Sequence, residues 1–217
     1  MSQPNARPNP LLGVIVMFVT PPPQSEDADR IYRASLESQG FPMNLTKVWA
    51  WRPEVFEGFA ALRAQLTNNS ALTKRDLSVL VSATAAAIGD SYCALAWGAT
   101  LAHETSPAVA SAILTNHRTG GVSERDQALA QWARKVAQDP SGTLATDVSD
   151  LREAGLTERE IVETTVFVAF RIAFSTVNAA LGANPDWQLA AAAPPEVVRA
   201  VDFGRPVAAK PAAPAGA

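Results

Sequence analysis

The chain is poor in the residues that build the commoner reactive centres. Among its 217 residues there is one cysteine, Cys93, and there are two histidines, His103 and His117. A single cysteine excludes an intrachain disulfide, a paired-thiol redox motif and a thiolate zinc cage. Two histidines exclude a histidine-rich metal centre within one chain. Positive charge is also short, with 18 Lys+Arg against 21 Asp+Glu and a net charge of −3. That balance excludes a nucleic-acid binder working through bulk basicity and argues against a polybasic membrane-surface protein. Aromatic residues make up only 7%. The most apolar run, residues 11–19 (LLGVIVMFV), is too short to span a bilayer. It lacks a basic leader and is followed by Pro21-Pro22-Pro23, so it reads as an apolar arm rather than a secretory signal. There is no G-x-G-x-x-G, no phosphate-binding loop and no H-E-x-x-H.

What is present is alanine, the commonest residue, within a 47% apolar composition that suffices for a core. Alanine is the best intrinsic helix former and a poor strand residue. No stretch alternates convincingly with period two. The expected fold is therefore an all-α antiparallel bundle with closely approaching helices. The expected organisation is an arm over residues 1–24, a helical domain over 25–190 and an Ala/Pro-rich tail over 191–217. Within that tail, residues 196–203 can form one short docking turn or helix. A lone cysteine fits a reducing, cytoplasmic compartment.

Helix punctuation is clear along the body. Ser25 and acidic residues open a helix that Gly40 stops, and Pro53 opens the next. Thr73 to Asp76 is a capping-box-like start before Leu77, Leu80, Val81, Ala85 and Ile88. After Gly89, Asp90 can cap a helix reaching about His103. Pro107 opens a segment through Leu114, Ser123 to Asp126 begins another helix, and Asp139-Pro140 ends it. A short helix over residues 146–154 precedes the full capping box Thr157 to Glu160. The helix behind that box runs to about Leu181 and is apolar nearly all round, as at a bundle centre or subunit interface.

One segment carries candidate chemistry: Asp90-Ser91-Tyr92-Cys93-Ala94-Leu95-Ala96-Trp97. With Asp90 as N-cap, Cys93 is the third residue of its helix. There, unpaired N–H groups and the positive end of the dipole lower a thiol pKa. Asp90 and Trp97 lie three before and four after Cys93, so all three share a face. A charged carboxylate beside a thiol raises its pKa; as a base it accepts the proton. The plainer readings are a small buried hydrophobe for Cys93, a simple cap for Asp90 and a core residue for Trp97.

The order of these features resembles the carboxymuconolactone decarboxylase / alkylhydroperoxidase D-like family. The resemblance rests on Leu72-Thr73-Lys74-Arg75-Asp76 leading into Asp-Ser-Tyr-Cys, on "DLREAGLTEREIVETTVFVAF" with "ALGANPDWQL", and on "FPMNLTKVWAWRPEVFEGF". It covers about residues 40–189. It implies an alkylhydroperoxidase D-like helical bundle that assembles as a trimer or hexamer. The family's first cysteine falls on Asp90, its second on Cys93 and its histidine on Trp97. Asp76 is the nearest counterpart of the family glutamate, with N3 cap partner of Thr73 as its alternative role. The family's Asn-Arg near the end of the last helix falls on Ser175-Thr176.

The resemblance implies a one-cysteine peroxidase or antioxidant protein, acting without a cofactor or metal. Cys93 would attack a peroxide and an external thiol would restore it. Asp90, with Asp76, would handle protons; Trp97 and Tyr92 would wall the substrate pocket. His103 lies about 15 Å beyond Cys93 along a helix, so it enters a site only through a bend or across a subunit interface. Its alternative role is a dipole partner at the helix C-terminus. Two other readings stand beside this one: a lactone decarboxylase or isomerase that needs no cysteine, and a non-catalytic helical oligomer of the same fold. The expected partners are a small-molecule peroxide or lactone, an external thiol reductant and further copies of the chain, with neither nucleic acid nor membrane.

Overall fold

The computed structural model describes residues 17–211, so residues 11–16 of the apolar arm and the last six residues lie outside the described part. Among the described residues there are eleven α-helices, one 3-10 turn and no strand. The helices are α1 (Glu26–Gln39), α2 (Asn44–Trp49), α3 (Pro53–Asn68), α4 (Lys74–Ala87), α5 (Ser91–Glu104), α6 (Pro107–Thr115), α7 (Glu124–Gln138), α8 (Ala145–Glu153), α9 (Glu158–Ala180), α10 (Trp187–Ala192) and α11 (Pro195–Ala200). The 3-10 turn, Pro140–Gly142, joins α7 to α8. No helix of the described residues is long and apolar enough to cross a membrane.

The caps read from the sequence are the caps in the structure. Ser25 Oγ accepts from the Ala28 N–H, and Gly40 closes α1 in the left-handed region at φ 80°. Pro53 and Pro107 sit in the first turns of α3 and α6. Two helices have no such signal. α2 and α10 are six residues each and have no side-chain cap, so neither periodicity nor punctuation announces them.

The centre of the molecule is α4, flanked by α5, α7 and α9. Val79, Leu80, Val81 and Ala83 of α4 are essentially inaccessible and join Leu101, Leu129, Ala133, Phe167 and Val168 in the main core. The packing continues beyond residue 190. The docking turn or helix expected over residues 196–203 is α11, and its Val197 is fully buried against α5 and α6. Gly98 makes that approach possible, because a Cβ there would meet Leu114 Cδ1 and Val197 Cγ1 at 2.9 Å each. A second, aromatic cluster joins α2 and α3 to α9: Trp49 stacks on Phe174 at 5.3 Å, with Phe56 and Phe59 around it.

Three helices start with one pattern: Thr73-Lys74-Arg75-Asp76, Ser123-Glu124-Arg125-Asp126 and Thr157-Glu158-Arg159-Glu160. Each forms a capping box. The first two also exchange arginines. Arg75 Nε donates to Asp126 Oδ1 at 2.9 Å, and Arg125 Nε donates to Asp76 Oδ1 at 3.0 Å. Arg125 reaches Glu160 Oε1 as well, at 3.2 Å. A single buried knot therefore ties the N-termini of α4, α7 and α9, and Asp76 serves it as cap and as ion-pair partner.

Asp126 is pushed up by burial, but the Arg75 guanidinium and Ser123 outweigh this and hold it below the ordinary carboxylate range. Glu160 is held low chiefly by the Thr157 N–H. Carboxylates depressed in the folded state stabilise it above their unfolded pKa, about 4, and that contribution is lost as the pH falls. Urea unfolding should accordingly show stability falling below about pH 4. Asp126→Ala should cost about 2–4 kcal/mol at neutral pH and flatten that acid limb. An unchanged acid limb would place the pH dependence elsewhere.

Candidate functional site

The candidate site begins at the reversal between α4 and α5. Gly89, at φ 71°, turns the chain so that Asp90 becomes the N-cap of α5. Asp90 Oδ1 accepts from the N–H groups of Tyr92 at 3.0 Å and Cys93 at 3.2 Å. Its Oδ2 is buried and has no N–H or O–H donor. One turn into α5, the Cys93 side chain points to α9. Arg171 Nη2 lies 3.0 Å from its Sγ and donates to it, and the Ser175 hydroxyl lies at 3.6 Å. Arg171 is 5% exposed. Its guanidinium lies over the ring of Trp97 at 5.5 Å and that of Phe174 at 5.2 Å.

Cys93, Trp97, Arg171 and Phe174 meet on the wall of a cavity of about 700 Å³, with Asp90 and Ser175 behind it. Cys93, Trp97, Tyr92, Arg171 and Phe174 line its inner part; Arg30, Glu57 and Arg63 line it further out, on α1 and α3. Between them the wall is largely apolar, with Ile31, Met43, Phe56, Phe59 and Phe170.

The electrostatics correct one expectation. The start of α5 was expected to lower the Cys93 pKa; instead burial pushes the thiol up to about 12. The Arg171 charge opposes that rise, while the charge of Asp90 adds to it. The physical reason is that the helix start is covered. The segment after α11 lies across it: Ser91 Oγ donates to the Arg205 carbonyl at 2.7 Å, and a Cβ on Gly204 would overlap the Gly89 carbonyl oxygen. Arg205 also donates to the Ala179 carbonyl at 2.9 Å and lies 4.4 Å over the Phe18 ring. Water is kept from that end of α5, and Cys93 is only 3% exposed. The thiol is protonated at rest.

A buried polar network supports the wall behind Tyr92. The Tyr92 hydroxyl donates to Asp186 Oδ2. The Asn44 N–H donates to Asp186 Oδ1 at 3.1 Å, and the Lys47 ammonium donates to Asn44 Oδ1 at 2.9 Å. Burial raises the Asp186 carboxyl and lowers the Lys47 ammonium. Trp49 Nε1 donates to Asn178 Oδ1 at 2.8 Å, pinning α2 to α9. Tyr92 therefore presents its ring to the cavity and commits its hydroxyl to the scaffold.

The structure thus brings together Cys93, Asp90, Trp97 and Tyr92. It does not bring Asp76 or His103 to them. Asp76 lies in the knot of helix starts, and neither residue lines the cavity. The His103 side chain is 84% exposed, 3.6 Å from Glu104. Arg171 and Arg63 were not foreseen. A signal for the first existed: Arg171, Ser175 and Asn178 fall at i, i+4 and i+7 of an otherwise apolar helix, and all three are buried.

Comparison with solved structures finds the same arrangement of helices. A peroxidase-related protein from Ralstonia eutropha JMP134, described as an alkylhydroperoxidase AhpD core, superposes with a TM-score of 0.71 at 24% identity, over 89% of this chain and 100% of that one. A peroxidase-related protein from Silicibacter sp. TM1040 has a TM-score of 0.68 at 20% identity, over 76% of this chain and 89% of that one. The debrominase Bmp8 has a TM-score of 0.67 at 13% identity, over 88% of this chain and 99% of that one. A cysteine-to-alanine variant of Bmp8 in complex with 2,3,4-tribromopyrrole also matches. No protein-family model matches the sequence, and no curated protein sequence matches it. The chain has the AhpD-core fold that the sequence resemblance implied.

The covered helix start has a measurable consequence. Alkylation of Cys93 should be slow at neutral pH and should keep rising past the free-thiol value of about 8.5. It should level only toward about 12. Gly204→Ala, which clashes at a left-handed backbone position, should lower stability by about 1–3 kcal/mol and speed alkylation. A plateau at or below the free-thiol value would show that the helix terminus, not burial, governs this sulfur.

Proposed function

We propose that the chain belongs to the carboxymuconolactone decarboxylase / AhpD-like family and is a one-cysteine, thiol-dependent peroxidase that reduces a hydroperoxide through Cys93. The observation that carries this reading is the sulfur's position. It lies on the wall of the 700 Å³ cavity, 3.0 Å from a buried guanidinium, with a carboxylate one turn before it. A cysteine serving only as core filler has no use for a charged partner on either side.

Burial keeps the Cys93 thiol protonated at neutral pH. Chemistry in the cavity needs only an internal transfer from Cys93 to Asp90. That transfer leaves the net charge of Asp90, Cys93 and Arg171 unchanged and pairs the new thiolate with Arg171. The thiolate attacks the terminal peroxide oxygen, an S–O bond forms and the O–O bond breaks. The departing alkoxide takes the proton held by Asp90. The thiol and hydroperoxide become a sulfenic acid and an alcohol. An external thiol then condenses with the sulfenic acid, releasing water and forming a mixed disulfide. A second external thiol releases Cys93 as thiol and leaves as the external disulfide.

The aromatic wall and the shared fold with Bmp8 favour a second reading. In it the Cys93 thiolate takes a halogen from an aromatic ring, the ring carbon takes the proton, and an external thiol displaces halide from the sulfur. Both readings use the same sulfur. We propose an oligomer as well, supported by large apolar side chains left in solvent, Val162 at 62% and Leu62 at 48% exposed. Sedimentation should show a trimer or hexamer; a monomer at all concentrations would refute it.

Peroxide consumption with added thiol separates the alternatives. The wild type should turn over, and Cys93→Ser should not. Asp90→Asn should lose about a hundredfold. Arg171→Gln should lose about 100–1,000-fold through the thiolate and leaving oxygen it stabilises. Equal rates in wild type and Cys93→Ser would remove the thiol reading.

A further inference from the structure

The ionisable side chains on the cavity wall do not balance. Besides Cys93 and Tyr92 they are Arg30, Arg63, Arg171 and Glu57. Arg30 is neutralised within the wall by its two-point pair with Glu57, at 2.8 and 3.1 Å. Arg63 and Arg171 are left. Among the described residues neither forms an ion pair, and Arg171 is buried with its Nε lacking any acceptor. A guanidinium has no proton to give up at neutral pH and presents donors along a planar edge. One nitrogen of Arg171 is used on Cys93, and its faces are covered by Trp97 and Phe174. The remaining edge donates to no acceptor among the described residues. Asp90 does not serve it, because its Oδ1 caps α5 and no hydrogen bond joins it to Arg171. Burial first and the Arg171 charge second lower the Arg63 guanidinium, so an anion nearby favours its charged form.

We infer that the cavity binds an organic carboxylate on an apolar, aromatic-sized body, its carboxylate held by the free edge of Arg171 with Arg63 adding attraction further out. The apolar part lies against the aromatic wall, which has room for more than one ring. This rests on the reading of the cavity as the reaction chamber. For the peroxidase it narrows the substrate to hydroperoxides whose body or leaving group bears a carboxylate.

Calorimetric titration tests this without turnover. Naphthoate is the probe, naphthamide its neutral counterpart of the same shape, and inorganic phosphate an anion without an apolar body. Naphthoate should bind the wild type at least about tenfold more tightly than naphthamide or phosphate. Arg171→Gln should lose about 10–100-fold. Arg63→Gln, on the exposed rim, should lose a few-fold, and less as salt is raised. Near-ultraviolet circular dichroism checks that each variant keeps its fold. Naphthamide binding as tightly as naphthoate, phosphate binding as tightly as naphthoate, no naphthoate binding, or unchanged affinity in a folded Arg171→Gln protein would each overturn the inference. Naphthoate binding by a wild type that consumes no peroxide would instead count against the thiol chemistry alone.

Discussion

A guanidinium can be carried inside a helical bundle only where other groups take the place of water. For Arg171 those groups are a sulfur, a hydroxyl acting on that same sulfur, and two aromatic faces. Much of the centre of the molecule follows from this placement. The C-terminal half of α9 turns Arg171, Ser175 and Asn178 inward because each has a partner on the buried side. α2 is drawn down onto α9 by Trp49, which bonds Asn178 and stacks on the same Phe174 that faces Arg171. α5 must place Cys93 opposite, and Gly89 with Asp90 sets the register at which it does so. The cavity is the space these three demands leave open.

The scaffold around that centre is held from one end. The helix starts of α4, α7 and α9 share a short pattern in which the residue that caps one helix also receives the arginine of another. Capping alone stabilises each helix separately, and the exchange of arginines makes the three starts interdependent. The reactive groups lie elsewhere, at the far end of α4 and along α9. Rigidity and chemistry are therefore separated along the same helices.

The fold was largely legible because its punctuation is local. Ser25, Thr73, Asp90, Ser123 and Thr157 each act on a backbone N–H two or three residues away, so the sequence displays both partners together. The position of Cys93 beside Asp90 was legible for the same reason. Its environment was not, because the groups that decide it are remote in sequence: Arg171 is 78 residues away and the segment at Arg205 is 114 residues from Ser91. A helix start read in isolation appears electropositive and open, whereas in the fold another part of the chain lies over it. The cross-pairing of the helix starts escaped notice because each motif reads fully as a cap. α2 and α10 escaped because six residues complete fewer than two turns. The docking element over residues 196–203 was legible, whereas the close approach of Gly204 to Gly89 was not, because its partner is remote in sequence.

The segment closing over α5 follows the bundle in the chain. A chain emerges from the ribosome N-terminus first, and the bundle from α1 to α9 is available to fold before Gly204 and Arg205 appear. Until then the Ser91 hydroxyl lacks the Arg205 carbonyl to which it donates in the fold. The order of synthesis thus sets the cover over the start of α5 only after the helices on which it rests.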